Sequence, residues 1–319
     1  MFRHHDQYAV KHAGCGAIDP TKFALKQSQW RVYAVLRFSP RPRLNDNHRP
    51  PSGSTVMATI AHPPPPHVGL RSCTAVKVDS AWSVRYRSSA RSWAECSIAE
   101  AGGTEFERCL QVRERHAFRG AGSKRGWYYF ATTRQMKWCE SRFEMRALRA
   151  LDHDPEVAAV AVQPFILHYR DEIGRASHTP DVFVRNRNGS GSVVDARPER
   201  FVEKPDFLRQ RAAMEETCAA AGWSYSVCST IDPVFEANLD WLAPCRHQLV
   251  DPLGCADEVL AACAEPQRLG EIVAAFPPAA LTRPVISHLL WASRLLTDLS
   301  ILLSDASVLS VPMAPTDAN

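Results

Sequence analysis

Between residues 140 and 229 the sequence changes periodicity in a fixed order, and that order limits the fold more than any other feature. Residues 140–151 (ESRFEMRALRAL) place Phe143, Ala147, Leu148 and Leu151 at helical spacing, and residues 152–155 end the pattern. Three strand-like runs follow, 160–169 (VAVQPFILHY), 179–184 (TPDVFV) and 192–197 (SVVDAR), with turns at Gly174 and Asn188-Gly189. A second helix is predicted over 205–221, with Gly222 as its stop, and then a strand over 223–229 (WSYSVCS). Helix, three strands, helix, strand specifies an α/β sandwich built on a mixed sheet.

The flanks organise around this core. Residues 81–87 alternate like a strand, and 126–132 (GWYYFAT) form an aromatic-rich strand candidate. These place a first domain at 76–245. Residues 1–75 are rich in proline, including Pro63–Pro66, and show little periodicity. Such a segment buries too little apolar surface to offset its ordering entropy, so it reads as disordered, or as a non-native extension upstream of a start near Met57. After Cys245 the chain turns leucine-rich. Helices are expected at 257–264, 269–276 and 284–292, then a two-stranded ribbon from 294–301 and 306–311. Three helices and a ribbon describe a small winged-helix domain over 246–312, with 313–319 as a tail.

Bulk properties exclude more than they identify. The net charge of +4 permits nucleic-acid binding without demanding it. Ten cysteines occur without a C-x-x-C pair, so a zinc site is not indicated. The N-terminus lacks an apolar run, and the longest apolar stretch, 289–303, is interrupted by Ser, Arg, Thr and Asp. A cytoplasmic protein with reduced thiols and no membrane partner is the expectation.

Two acids sit where a strand is otherwise apolar. Asp181 alternates onto the face of Phe183, and Asp195 lies among valine and alanine in SVVDAR. A carboxylate in a half-buried strand is costly unless paired or metal-bound. Two of them on successive strands repel unless a cation sits between, and oxygen ligands suit Mg²⁺ or Mn²⁺. Such a cation can acidify a water and neutralise charge on a phosphodiester. Glu144, on the preceding helix, is the third acid. Arg197, two residues after Asp195, shares its face and would contact the nucleophile or phosphate. Each has a blander reading: Ser141-x-x-Glu144 matches a capping box, Asp181 follows Pro180 as a turn residue does, and Asp195 with Arg197 could be a same-face ion pair.

Taken in order, ESRFE (140–144), DPEVAAVAVQPFIL (154–167), HTPDVFV (178–184), VVDARP (193–198) and GWSYSVCSTIDP (222–233) resemble the TnsA-type endonuclease subunits of heteromeric transposases. The resemblance runs from about Trp82 to the end and is most specific between Tyr128 and Pro233. It implies a restriction-endonuclease-like fold with Glu144, Asp181 and Asp195 as catalytic acids and metal ligands. It further implies the Ala196 carbonyl as an additional ligand, Gln163, in a turn at QPF (163–165), near the site, and a C-terminal winged helix. The implied reaction is metal-dependent hydrolysis of one strand, the 5′-end cleavage, at transposon ends. The implied partners are double-stranded DNA, a DDE-type transposase subunit and an ATPase regulator of transposition. The sequence departs from the family at Arg197, where the family has lysine. Arginine keeps the charge but cannot lose its proton, so a weakened nuclease is expected.

Basic residues near these acids are candidates for DNA contacts. Arg134 and Lys137 precede the helix of Glu144, Arg142, Arg146 and Arg149 share one face of it, and Arg185 and Arg187 follow the Asp181 strand. His178 and His168 read as structural, and Trp127, Tyr128 and Tyr129 as packing residues. Two alternatives stand beside the nuclease: a catalytically weakened or dead scaffolding subunit that recruits the transposase, and a winged-helix regulator.

Overall fold

The computed structural model describes residues 82–113 and 125–313, together with the backbone of a strand at 36–38. The rest of residues 1–75 lies outside the described residues. The strand β1 (Leu36–Phe38) nevertheless pairs antiparallel with β11 (Ser224–Ile231), placing Leu36 opposite Ile231. These three residues lie within the segment expected to be disordered or a non-native extension.

The central sheet has the order β1-β11-β10-β9-β6, with β6 at Val157–Val162, β9 at Val182–Asn186 and β10 at Gly191–Ala196. Only the β10–β11 pair is parallel. A parallel pair needs a crossover, and α3 (Pro205–Ala221) supplies it between them. Gly222 ends α3 in the left-handed conformation at φ 73°, which glycine adopts without steric cost. A second sheet, β3-β2-β7-β8, is wholly antiparallel, with β2 at Ser83–Arg87, β3 at Trp93–Cys96, β7 at Ile166–Arg170 and β8 at Arg175–His178. The short helix α1 (Ile98–Ala101) follows β3 and lies against α3.

The single strand expected over 160–169 is two strands in two sheets. Gln163 takes a positive φ of 46° and Pro164 follows it, so β6 stops and the chain turns into β7. Apolar alternation continues across the break, which is why sequence pattern alone merged them.

Side-chain alternation sorts the core. Val160, Val162, Val182, Val184, Val194 and Ala196 face Leu148 and Leu151 of α2 (Arg142–His153). Ala161, Phe183 and Val193 face the opposite way, toward Met214 and Cys218 of α3 and Leu167 of the second sheet. At the start of β10, a Cβ on Gly191 would meet Trp223 at 2.6 Å and Phe183 at 2.9 Å, so only glycine admits that packing. The hairpin of β4 (Gly126–Phe130) and β5 (Gln135–Cys139) rests on α2. It is tied there by buried Asp152, which accepts from Tyr128 Oη at 3.0 Å and from the Ala131 and Thr132 N–H groups at 2.9 Å.

Beyond α4 (Pro233–Leu242) come α5 (Ala256–Ala262), β12 (Gln267–Arg268), α6 (Leu269–Ala275), α7 (Ala279–Trp291) and β13 (Val308–Leu309). The ribbon is arranged differently from the expectation. β13 pairs with β12, which lies between two helices, and the 294–301 run contributes a single bridge, Leu296 to Ser310. The apolar core also crosses residue 246 without interruption: Leu239 and Leu242 share a cluster with Val285, Ile286 and Leu289. Asn238 fastens the two parts, donating to the Leu299 and Ile301 carbonyls at 2.8 Å and accepting from Leu303 N–H at 2.9 Å. α7 is mostly buried. It carries Arg283, which pairs with Asp305, and its exposed positions include Ala279, Ala280, Leu281 and Pro284. The polar, basic face that a helix reading DNA needs is not present on it.

Candidate active site

Asp181 stands immediately before β9, after Pro180, and Asp195 is the penultimate residue of β10. Their backbones and carboxylates interlock. The Asp181 N–H donates to Asp195 Oδ1 at 3.2 Å, and the Ala196 N–H donates to Asp181 Oδ2 at 2.8 Å. Asp195 is 1% exposed and almost fully engaged, because His178 Nε2 lies 2.9 Å and Tyr225 Oη 2.7 Å from its Oδ2. Burial alone raises the Asp195 carboxyl, but His178, Tyr225 and the Asp181 N–H together hold it below the usual carboxylate range.

Asp181 has the opposite character. Burial first, then the charges of Asp195 and Glu144, push its carboxyl well above the ordinary value, against the Ala196 N–H and Arg113. Glu144 lies in the first turn of α2. Its Oε2 accepts from the Glu140 N–H at 2.8 Å and its Oε1 from Ser141 Oγ at 3.0 Å, while Ser141 Oγ accepts from the Glu144 N–H at 3.1 Å. Ser141 thus caps the helix, but the capping box of the blander reading is incomplete, because the Glu144 carboxylate accepts from the Glu140 N–H and the Ser141 hydroxyl rather than from the Ser141 N–H. Burial still raises its carboxyl overall, despite those two donors. The fold thus brings Glu144 and Asp181 into one electrostatic neighbourhood, which also raises the Cys139 thiol to about 12, chiefly through burial.

Among the described residues, no group of three or more His, Cys, Asp and Glu side chains is placed to hold a metal ion. The donors sort unequally as ligands for a divalent cation. Glu144 and Asp181 fit, being carboxylates whose charge burial and repulsion disfavour and a cation would relieve. Asp195 fits poorly, because three protein donors already occupy its oxygens.

Arg197 does not form the ion pair with Asp195 that same-face spacing allowed. Its guanidinium lies over the Phe207 ring, 4.7 Å from the centroid, and its N–H donates to the Cys228 carbonyl at 2.9 Å.

The expected DNA-contacting arginines divide. Arg146 pairs with Glu236 of α4, and Arg149 with both Glu236 and Asp240, so two of the three face residues clamp α2 to α4. Arg142 is exposed. Arg185 is bound to Glu107 at 3.0 Å and to the Gly189 and Thr104 carbonyls, at the far end of β9 from Asp181. Four residues of strand put it about 13 Å from that acid. Arg187 is exposed and donates to the Pro155 carbonyl at 2.6 Å.

Basic charge outweighs acidic in a cleft of about 640 Å³ beside β6, whose lining includes Arg87, Arg108, Arg113 and Lys137 against Glu107, with Arg108 also paired to Glu105 at 3.0 Å; Val162 and Pro164 form part of its wall. Arg113 pairs with Glu140 at 2.7 Å and also acts on Glu144 and Asp181. Lys137 is 9% exposed, and burial lowers its ammonium to about 8 against the pull of Glu107. Of the two, sequence pointed to Lys137, which with Arg134 precedes the helix of Glu144, and not to Arg113. Arg113 and Tyr225 come to the acids only through tertiary contacts.

Comparison of the chain with known families and with curated proteins found no match. The described residues form a mixed α/β protein, and no helix among them is long and apolar enough to cross a membrane.

Proposed function

We propose that this chain is a divalent-metal-dependent DNA endonuclease with a restriction-endonuclease-like fold, acting as the strand-cleaving subunit of a heteromeric transposase. The observation that carries the reading is Asp181: a carboxyl at the mouth of β9, pressed by Asp195 and Glu144, with the Ala196 N–H on its Oδ2. The order α2, β6, β9, β10, α3, β11, with β10 and β11 parallel across α3, supports the fold assignment. The basic cleft beside β6 supports a polyanionic substrate, since phosphate contacts dominate DNA affinity.

In this reading Glu144, Asp181 and the Ala196 carbonyl hold the cation, Mg²⁺ or Mn²⁺. When bound it supplies charge neutralisation at the scissile phosphate and a water of lowered pKa. Asp195 acts through its neighbours, fixing the Asp181 backbone with its Oδ1. Arg113 and Lys137 face the substrate backbone. Transposon-end DNA, a DDE-type transposase and an ATPase regulator are the partners this assignment brings with it, and the winged-helix part would serve assembly more than base reading.

The test is nicking of supercoiled plasmid in Mg²⁺ or Mn²⁺, comparing the chain with Asp181→Ala. Metal-dependent nicking lost in the variant is the expected result, and equal behaviour of the two sinks the proposal. A second reading, a scaffolding subunit without activity, is favoured by one specific arrangement. Asp195 is committed to His178 and Tyr225 while Arg197 stacks on Phe207, so neither is free in the way a working site would use them.

A further inference from the structure

Gln163 combines three features that no structural role unites. It is 1% exposed, yet neither Oε1 nor Nε2 of its side chain has a hydrogen-bond partner. No other described residue leaves two buried side-chain polar atoms unpartnered. Buried amides are almost always satisfied, so an orphaned one calls for a ligand, a water or a strained site. Its backbone is also held at φ 46°, in the left-handed region, and it precedes a proline, which further restricts it. Glycine or asparagine would meet such a turn at lower cost.

The third feature is location. Gln163 continues the β6–β9 register by one step beyond the Val162–Val182 pair, so it stands opposite Asp181. Its N–H donates to the Asp181 carbonyl at 2.8 Å, and its own carbonyl accepts from the Val112 N–H at 3.0 Å. Both chain neighbours, Val162 and Pro164, line the basic cleft. A strained, unsatisfied polar residue fastened by its backbone to Asp181 is the pattern of a functional position.

We propose that Gln163 is a positioning residue of the acidic site, its amide reserved for a water of the hydrated divalent cation that Asp181 and Glu144 bind. This rests on the metal-binding reading of those two acids. Outer-sphere partners of this kind fix the orientation of a bound cation, and their loss typically weakens metal affinity by about 10- to 100-fold.

The experiment uses the full chain and Mn²⁺ alone, with binding read from the loss of the free Mn²⁺ paramagnetic resonance signal and folding from thermal unfolding without metal. Gln163→Leu keeps the volume and removes the amide, and Gln163→Gly removes the amide and the backbone strain. Both are expected to unfold at or above the wild-type temperature while binding Mn²⁺ at least about tenfold more weakly. Wild-type Mn²⁺ affinity in either folded variant overturns the proposal, and if Gln163→Leu fails to fold, Gln163→Gly decides. Asp181→Ala separates the two levels of inference. If the wild-type chain binds no Mn²⁺ that Asp181→Ala abolishes, the metal reading falls and this proposal with it. If Asp181→Ala abolishes binding and the Gln163 variants do not weaken it, only this proposal falls.

Discussion

The Asp181 N–H donates to Asp195 Oδ1 at 3.2 Å, so the backbone of one acid is held by the carboxylate of the other. The two carboxyls are shifted in opposite directions as a result of what surrounds them, Asp195 downward and Asp181 upward. Opposite shifts predict opposite mutational outcomes.

Asp195→Asn should destabilise the chain by about 3 kcal/mol, because the charged acceptor shared by buried His178, half-buried Tyr225 and one N–H is lost. Asp181→Asn should raise the unfolding midpoint at pH 7, by roughly 3 °C per kcal/mol of repulsion removed. The pH signs follow from linkage. Asp195, lowered in the folded state, contributes stability present above the unfolded carboxyl value and lost as pH falls through the folded one. Asp181, raised, binds its proton more tightly when folded, so its penalty grows as pH rises from the unfolded carboxyl value through the folded one. Thermal unfolding of both variants from pH 3 to 8, on the order of half-unit steps, checks this. A destabilised Asp181→Asn at pH 7 would contradict it.

Lys137 should couple polyanion binding to alkaline pH. Its folded value near 8 means that its charge disappears above that pH, while the guanidinium of a Lys137→Arg variant would stay charged. Duplex binding, followed by fluorescence anisotropy, should weaken between about pH 7 and 9 in the wild type and less in Lys137→Arg. The same shift makes Lys137 destabilising at neutral pH, with stability gained as pH rises from 8 toward the unfolded lysine value. Lys137→Met should therefore raise stability at pH 7, by up to about 3 kcal/mol.

Arg197→Lys tests whether the basic neighbour limits the rate. The compact ammonium cannot stack on Phe207 as the guanidinium does, and it restores the residue found in the TnsA-type pattern. Nicking in Mg²⁺ should rise by at least about tenfold, a difference of about 1.4 kcal/mol in barrier. An unchanged rate would show that Arg197 is not the limiting feature.

His153 should make the chain acid-labile. Burial between α2 and α7 lowers its imidazole to about 4, against the hydrogen bond to the Trp291 carbonyl. A base lowered in the folded state gives stability that is present above the unfolded histidine value and lost as pH falls from about 6.5 to 4. The loss across that window is about 3 kcal/mol, and His153→Phe should flatten it. An identical pH dependence in the variant would remove His153 as the cause.

Local pattern determined the elements that alternate cleanly. α3 lies where the apolar spacing and Gly222 place it, and α2 starts at Ser141 because that side chain accepts from the first turn. Asp181 and Asp195 were legible as misplaced acids because a carboxylate among valines is conspicuous in one dimension. The break at Gln163 was not legible in the apolar pattern, which β6 and β7 share; only the resemblance placed a turn there, at residues 163–165. Nor could sequence show that Arg146, Arg149 and Arg185 are spent on ion pairs, because Glu236, Asp240 and Glu107 lie on other elements.

By itself, then, the sequence determined which residues face the two cores and that Asp195 stands inside a strand, since both follow from periodicities of a few residues, whereas Asp181, expected inside a strand, stands just before β9 after Pro180. Tertiary structure alone decided which of those acids is satisfied and which is not. His178 and Tyr225 reach Asp195 from two other strands, while Glu144 approaches Asp181 from a helix. Charge and burial at a carboxyl are set by what lies within a few ångströms in space, and that neighbourhood is assembled by packing between distant segments.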